Sequence, residues 1–180
     1  MKIISKNAAV YLTGAVCSLF LMTASAESLD AYNLHNGFYL TGNTMPIFAG
    51  GVDAGYLFTP RLGVEVGYDS IWDWYLLGTV DVSMYHLDVK TIMPFGSRGE
   101  LFGKFGVGII NGTEKNTLLS NYNQTSQSWG ASVGFGIGYD VMPSWVITLE
   151  ANGMIYPESH TLNGGLALIP SIGLTHYFDA

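Results

Sequence analysis

From Ser128 to Val141 large apolar residues alternate with small or polar ones without a break. Trp129, Ala131, Val133, Phe135, Ile137, Tyr139 and Val141 hold one phase, and Ser128, Gly130, Ser132, Gly134, Gly136, Gly138 and Asp140 hold the other. A period of two belongs to a strand, not a helix. In a water-facing sheet the second phase would carry Lys and Glu; here it carries glycine and serine. The pattern therefore predicts an apolar face turned out to lipid and a small polar face lining a narrow barrel. Trp129 and Tyr139 stand ten positions apart. At about 3.3 Å rise per residue and a tilt near 40° they span roughly 25 Å of membrane normal, the height of a bilayer-facing band between aromatic girdles. Trp145, just past the next turn, is assigned to the same girdle system.

The alternation recurs along the chain and predicts eight strands, at residues 37–43, 48–58, 62–69, 78–95, 100–110, 128–141, 145–155 and 164–178. In the third, Leu62, Val64, Val66 and Tyr68 oppose Gly63, Glu65, Gly67 and Asp69. The fourth is irregular: Val80, Val82 and Met84 begin on one phase, while Leu87 and Val89 lie on the other, which predicts a β-bulge near Met84 or Tyr85. Tight turns fall at 59–61, 96–99 and 142–144; the links at 71–77, 111–127 and 157–163 are longer, and the first, at 44–47, is short. An even number of strands with alternating tight and long links predicts an eight-stranded antiparallel up-and-down transmembrane β-barrel. The tight turns and both termini are then periplasmic and the long loops outside.

Composition removes alternatives. Only 12% of residues are charged and 23 of the 180 are glycine, against about a quarter charged in an ordinary soluble domain. Residues 1–26 read as a cleaved signal peptide: Lys2 and Lys6, an apolar core from Ala8 to Met22, and Ala24-Ser25-Ala26 before Glu27. That core is shorter than the ~20 residues of a spanning helix. Cys17, the single cysteine, goes with it, so no disulfide or thiol site is expected. Residues 27–36 read as a short periplasmic segment and 37–178 as the barrel. Without Lys2 and Lys6 five basic residues face fourteen acidic ones, and this acidity excludes nucleic acid as a partner.

The signal peptide, the strand count, the Gly55-Tyr56-x-x-Thr59-Pro60 turn and the terminal Gly173-Leu174-Thr175-His176-Tyr177-Phe178 together resemble the OmpA-like small outer-membrane barrel family over essentially the whole mature chain. The resemblance implies a Gram-negative outer-membrane location and contact with its lipid, including lipopolysaccharide. It also implies recognition by the barrel-assembly machinery through Gly173 and Phe178. His176 stands where that family usually has an aromatic, and Asp179-Ala180 follow the Phe. The resemblance covers the barrel alone, so neither a periplasmic peptidoglycan-binding domain nor an oligomer is expected.

A barrel of eight strands is filled by side chains. The charges read as inward are Asp53, Glu65, Asp81, Lys104 and Glu150, with His86, Asp88 and Lys90 joining them only through the bulge. Charges at membrane depth must pair, so Lys104 is expected to bridge carboxylates. Such a network either gates an ion path or only fills the interior. Some barrels of this size are lipid A-modifying enzymes. Glu158-Ser159-His160 has the residue types of the deacylases, but their Ser follows the His by two positions, where Leu162 stands, and adjacent residues of a strand face opposite ways. No metal-ligand spacing, phosphate loop or cofactor motif is present. The reading is a non-enzymatic barrel presenting its outer loops, with Trp72, Trp74, Tyr75 and Tyr122, to a host or phage ligand. A narrow channel, a lipid A-modifying enzyme and a soluble lipocalin-like barrel are the rivals.

Overall fold

The computed structural model describes residues 35–45, 49–75, 78–116, 122–157 and 165–178. They form β1 (Gly37–Met45), β2 (Ala49–Thr59), β3 (Leu62–Tyr75), β4 (Gly78–Phe95), β5 (Gly99–Asn116), β6 (Tyr122–Met142), β7 (Trp145–Tyr156) and β8 (Gly165–Phe178). Each strand pairs antiparallel with its neighbour in sequence, and β8 returns to β1 to close the barrel. Closure leaves no unpaired edge around the wall, which is what hydrocarbon surroundings require of a sheet. The signal peptide and nearly all of the segment 27–36 lie outside the described residues.

The two phases sort by side, and in the inverse of a soluble protein. Trp129 is 66% exposed and Phe135 61%, whereas Asp53 is fully buried and Glu65 and Lys104 are each 1% exposed. Along the first half of β7 the alternation is strict, with Trp145, Ile147 and Leu149 outward and Val146, Thr148 and Glu150 inward.

Both chain ends of the barrel and its three tight turns share one end, here the turn end. Each turn is tied to the strand beyond its hairpin: Ile92 donates its amide to the Arg61 carbonyl (2.9 Å), Asp140 to Arg98 (2.8 Å) and Tyr177 to Ser144 (2.9 Å). Carbonyls that would otherwise lie unpaired at the rim are satisfied in this way. Gly96, with φ 63°, supplies the left-handed residue that the β4–β5 turn needs.

Two expectations fail. The bulge in β4 does not exist: its register with β3 runs unbroken from Tyr75↔Gly78 to Leu62↔Thr91, and that with β5 from Thr79↔Lys115 to Phe95↔Gly99. Val82, Met84, His86, Asp88, Lys90 and Ile92 share one inward face whose chemistry changes from apolar to charged and back. The register irregularities lie beside two tight turns, between Leu57 and Thr59 and between Asp140 and Met142. Secondly, the long links are mostly strand. β3 continues to Tyr75 and β4 begins at Gly78, so Trp72, Trp74 and Tyr75 are paired residues; β5 and β6 continue to Asn116↔Tyr122. The side chains of 71–80 and the segment 158–164, with Ser159 and His160, lie outside the described residues.

These extensions give the wall unequal height. The β2–β3 ladder ends at Ala49↔Ile71 and the β6–β7 ladder at Ala131↔Ile155. Beyond those levels β3, β4, β5 and β6 rise together as a four-stranded crest, with Thr113 and Thr125 facing across β5–β6 (Oγ1 to Oγ1 3.5 Å).

Candidate functional site

The interior is stacked in three layers, because each inward strand face reads apolar, polar, apolar. At the turn end Tyr39, Leu57, Ile92, Phe102, Val146 and Tyr177 pack into one buried cluster. At the crest end Ala49, Met84, Ile110, Met154 and Ile169 form another, with Val82 and Tyr156 against it. Between them lie the buried side chains of Asp53, Glu65, Asp69, His86, Asp88, Lys90, Lys104 and Glu150.

Lys104, on β5, is the hub of this layer. Its Nζ lies 2.6 Å from Glu65 Oε1, 2.9 Å from Glu150 Oε2 and 3.6 Å from Asp53 Oδ2. Glu65 also accepts from Tyr39 Oη at 2.7 Å and from Lys90 at 3.4 Å. Asn43 Nδ2 donates to both Asp53 and Glu150, each at 3.2 Å. Lys90 stands 4.4 Å from the Tyr39 ring centroid and 4.8 Å from that of Phe102, so its ammonium faces aromatic π-clouds as well as a carboxylate. Lys104 thus bridges three carboxylates, and Lys90 is ion-paired to Glu65.

A second group centres on His86. Its Nδ1 is 2.7 Å from Asp88 Oδ2, and its Nε2 faces Asp69 Oδ2 at 3.3 Å and Asp53 Oδ1 at 3.5 Å. Asp53 joins the two groups.

Of the charges assigned to the lumen from sequence, the structure brings together Asp53, Glu65, Lys104 and Glu150. Asp81 does not belong: without a bulge it shares the outward phase of Tyr85 and Leu87, and it is half-buried. His86, Asp88 and Lys90 are inward with no bulge to put them there. Asp69, Asn43 and Tyr39 enter the layer too; all three lie on the inward phases of β1 and β3, which was the signal available for them.

On the outer wall Trp129, Tyr139 and Trp145 all face outward, at opposite ends of an apolar belt. The girdles are fuller than those three. Phe38 packs edge-on against Tyr56 (4.8 Å) and Tyr56 against Phe58 (5.4 Å) at the turn end; nearer the crest Tyr68 and Tyr85 pair across strands at 4.8 Å. His176 is itself a girdle member. Its ring lies between Trp145 (4.4 Å) and Phe178 (4.6 Å), with Nδ1 3.1 Å from the Ser144 carbonyl oxygen. Gly173 faces inward, where an added Cβ would strike Thr148, and Phe178 faces out beside Phe38. Between β5 and β8 a lipid-side groove of about 620 Å³ has walls of Phe135, Ile137 and Leu149 and includes Gly136, Ala151 and Pro170 in its lining.

At the turn end His35 closes over the lower cluster, stacked on Tyr177 at 4.1 Å and facing Asp140 Oδ1 at 3.6 Å.

No protein-family model matches the sequence, and no curated protein matches it. Solved structures match the fold. Neisserial surface protein A is 15% identical with a TM-score of 0.65, covering 79% of this chain and 97% of that one. The N-terminal β-barrel domain of Pseudomonas aeruginosa OprF is 16% identical with a TM-score of 0.60, covering 80% and 98%. The outer membrane protein OprG from the same organism is 15% identical with a TM-score of 0.57, covering 83% and 100%. The chain has the eight-stranded fold of these small Gram-negative outer-membrane barrels.

Proposed function

We propose that the protein is an integral, non-conducting and non-enzymatic barrel of the Gram-negative outer membrane that acts through its crest at the cell surface. The observation that carries this reading is the inversion of the barrel: apolar and aromatic side chains stand exposed all along its wall, and the buried charges of the lumen lie between two apolar layers. Such a wall is solvated by lipid acyl chains, for which the groove beside Gly136 and Pro170 is a seat, and lipopolysaccharide is the natural outer-leaflet neighbour. Sealed charge argues against an aqueous path. The name of Neisserial surface protein A describes a protein of this fold at a cell surface.

The turn end is periplasmic in this reading, and the barrel-assembly machinery engages β8 through Gly173 and Phe178. The crest of β3 to β6 then stands on the outside, and its paired, polar strands hold a fixed shape for a host or phage surface ligand. The experiment replaces residues 113–125 with a short turn. The shortened barrel is expected to remain in the outer membrane and to migrate faster unboiled than boiled, while cells carrying it lose the adhesion to host-cell monolayers or the phage adsorption that the intact protein confers. Full adhesion and adsorption without the crest would end the surface role.

A further inference from the structure

The wall of the barrel closes without an edge, but the crest above it does not. β6 runs on to Tyr122 beside β5, while its ladder with β7 stops at Ala131↔Ile155. Two residues further on, that register would set Trp129 against Pro157, and proline has no N–H to give the Trp129 carbonyl. We propose that the β7-side edge of β6, from Asn123 to Trp129, is a docking edge that takes up an extended strand of a protein outside the cell by backbone pairing. The proposal rests on the crest standing outside and says how the crest holds its partner.

Which backbone groups face that edge follows from the other end of the strand. Asp140 donates its amide to the Arg98 carbonyl, on the β5 side of β6. In an antiparallel pair successive residues turn their N–H and C=O groups to opposite neighbours, and β6 pairs with β5 in unbroken register from Tyr139 back to Tyr122. Even-numbered residues of β6 therefore serve β5, and odd-numbered ones face the β7 side. Above Ala131 the N–H and C=O groups of Asn123, Thr125, Gln127 and Trp129 point to a side where the described residues place no strand. The contact recorded there is the Ser128 hydroxyl, 3.5 Å from the Trp129 carbonyl oxygen.

Natural sheets guard such an edge with lysine, proline, a bulge or brevity. Residues 123–129 read NQTSQSW, with no charge and no proline, in unbroken register with β5. The opposite edge of the crest is guarded: beyond Ile71, β3 continues only to Tyr75 and carries Asp73. Trp129 marks the outer girdle, so the residues before it in β6 stand clear of hydrocarbon, and water solvates their backbone groups until a strand arrives. Thr125 and Gln127 are exposed and uncharged. The edge therefore selects an extended, uncharged polar backbone, to which pairs such as Thr opposite Thr add. A helix has no free row of donors and acceptors to offer it, and a polyanion finds no cation there.

The test uses the mature barrel refolded in detergent micelles, with amide hydrogen exchange read by NMR. The probe is a blocked peptide copying Ile109–Asn116, the segment that β6 already pairs with on its β5 side. Without peptide, the amides of Asn123, Thr125 and Gln127 should exchange about tenfold or more faster than those of Gln124, Ser126 and Ser128. Millimolar peptide should slow the odd-numbered amides about tenfold and leave the even-numbered ones unchanged. Thr125→Pro combined with Gln127→Pro removes donors from the open side alone, so this variant should keep the heat-dependent gel shift while Asn123 and Trp129 lose their response to peptide. Cells carrying it should lose adhesion or phage adsorption as the crest replacement does, whereas Thr125→Ala with Gln127→Ala should retain it.

Slow exchange of the odd-numbered amides without peptide would mean that the edge is already covered and would overturn the proposal, as would no slowing by peptide. If the crest replacement abolishes adhesion and a folded proline variant does not, the surface role stands and the docking edge falls. If the proline variant does not fold, the wild-type exchange with and without peptide decides alone.

Discussion

Lys104 occupies the point in the lumen where Glu65, Glu150 and Asp53 converge. Removing one member of a buried ion network leaves the others uncompensated, which costs about 3–5 kcal/mol. Lys104→Met is therefore expected to lower the urea midpoint of the barrel in lipid vesicles far more than Lys90→Met, whose ammonium has one carboxylate partner. Equal midpoints for the two variants would remove Lys104 from the centre of the network. Room for these side chains comes from the glycines of β6. A Cβ at Gly134 would sit 3.2 Å from the Lys104 side chain and 2.7 Å from Asn152 Oδ1, both able to shift; at Gly136 it would sit 2.6 Å from the Leu149 carbonyl, which cannot. Overpacking of this kind costs about 1–3 kcal/mol. Gly136→Leu should accumulate less heat-modifiable barrel than Gly134→Leu, and both less than wild type. Asp53, Glu65, Lys104 and Glu150 were legible in the sequence because each interrupts an otherwise small phase opposite a clean apolar one. The His86 group was not, since its meaning depends on which phase of β4 faces inward.

At the scale of a strand, the alternation of β6 identifies its lipid face and sets a depth along it. Phe135 lies near the middle of the stretch between the flanking aromatics Trp129 and Tyr139, and all three face outward. An arginine on the lipid face costs about 2–4 kcal/mol at the bilayer midplane and about 0–1 kcal/mol at the interface. Phe135→Arg should therefore lose that larger amount, and Tyr139→Arg almost none, in denaturant unfolding from vesicles. A loss at Tyr139 as great as at Phe135 would mean that the belt is misplaced. The same strand shows where periodicity stops being informative. Below Gly130 one face must meet lipid, and apolar residues recur every second position. Above it β5 and β6 carry Asn, Thr, Ser and Gln on both phases with no apolar phase to mark a face, so residues that the structure pairs read as a loop. β4 misleads for a related reason. Its inward face is apolar at Val82 and Met84 because that stretch builds the crest-end plug, and a pattern reader who assumes a uniformly polar lumen must invent a bulge to explain it.

For the molecule as a whole, the two apolar layers act as barriers in series. An ion crossing the lumen must desolvate past Tyr39, Phe102 and Ile92 at the turn end, and again past Met84, Ile110 and Met154 at the crest end. Neither barrier is relieved by the charged layer between them, because its lysines are already held by fixed carboxylates. Series barriers have a distinctive consequence: opening one leaves the other controlling. Wild-type protein in a planar bilayer is expected to pass no current, and so are Tyr39→Ala with Phe102→Ala, which opens only the turn end, and Met84→Ala with Met154→Ala, which opens only the crest end. The four substitutions combined should pass current, and with more carboxylates than lysines lining the way that current should favour cations over anions. Conductance from either pair alone would mean that the other layer does not seal, and steady conductance from wild type would replace the sealed barrel with a channel.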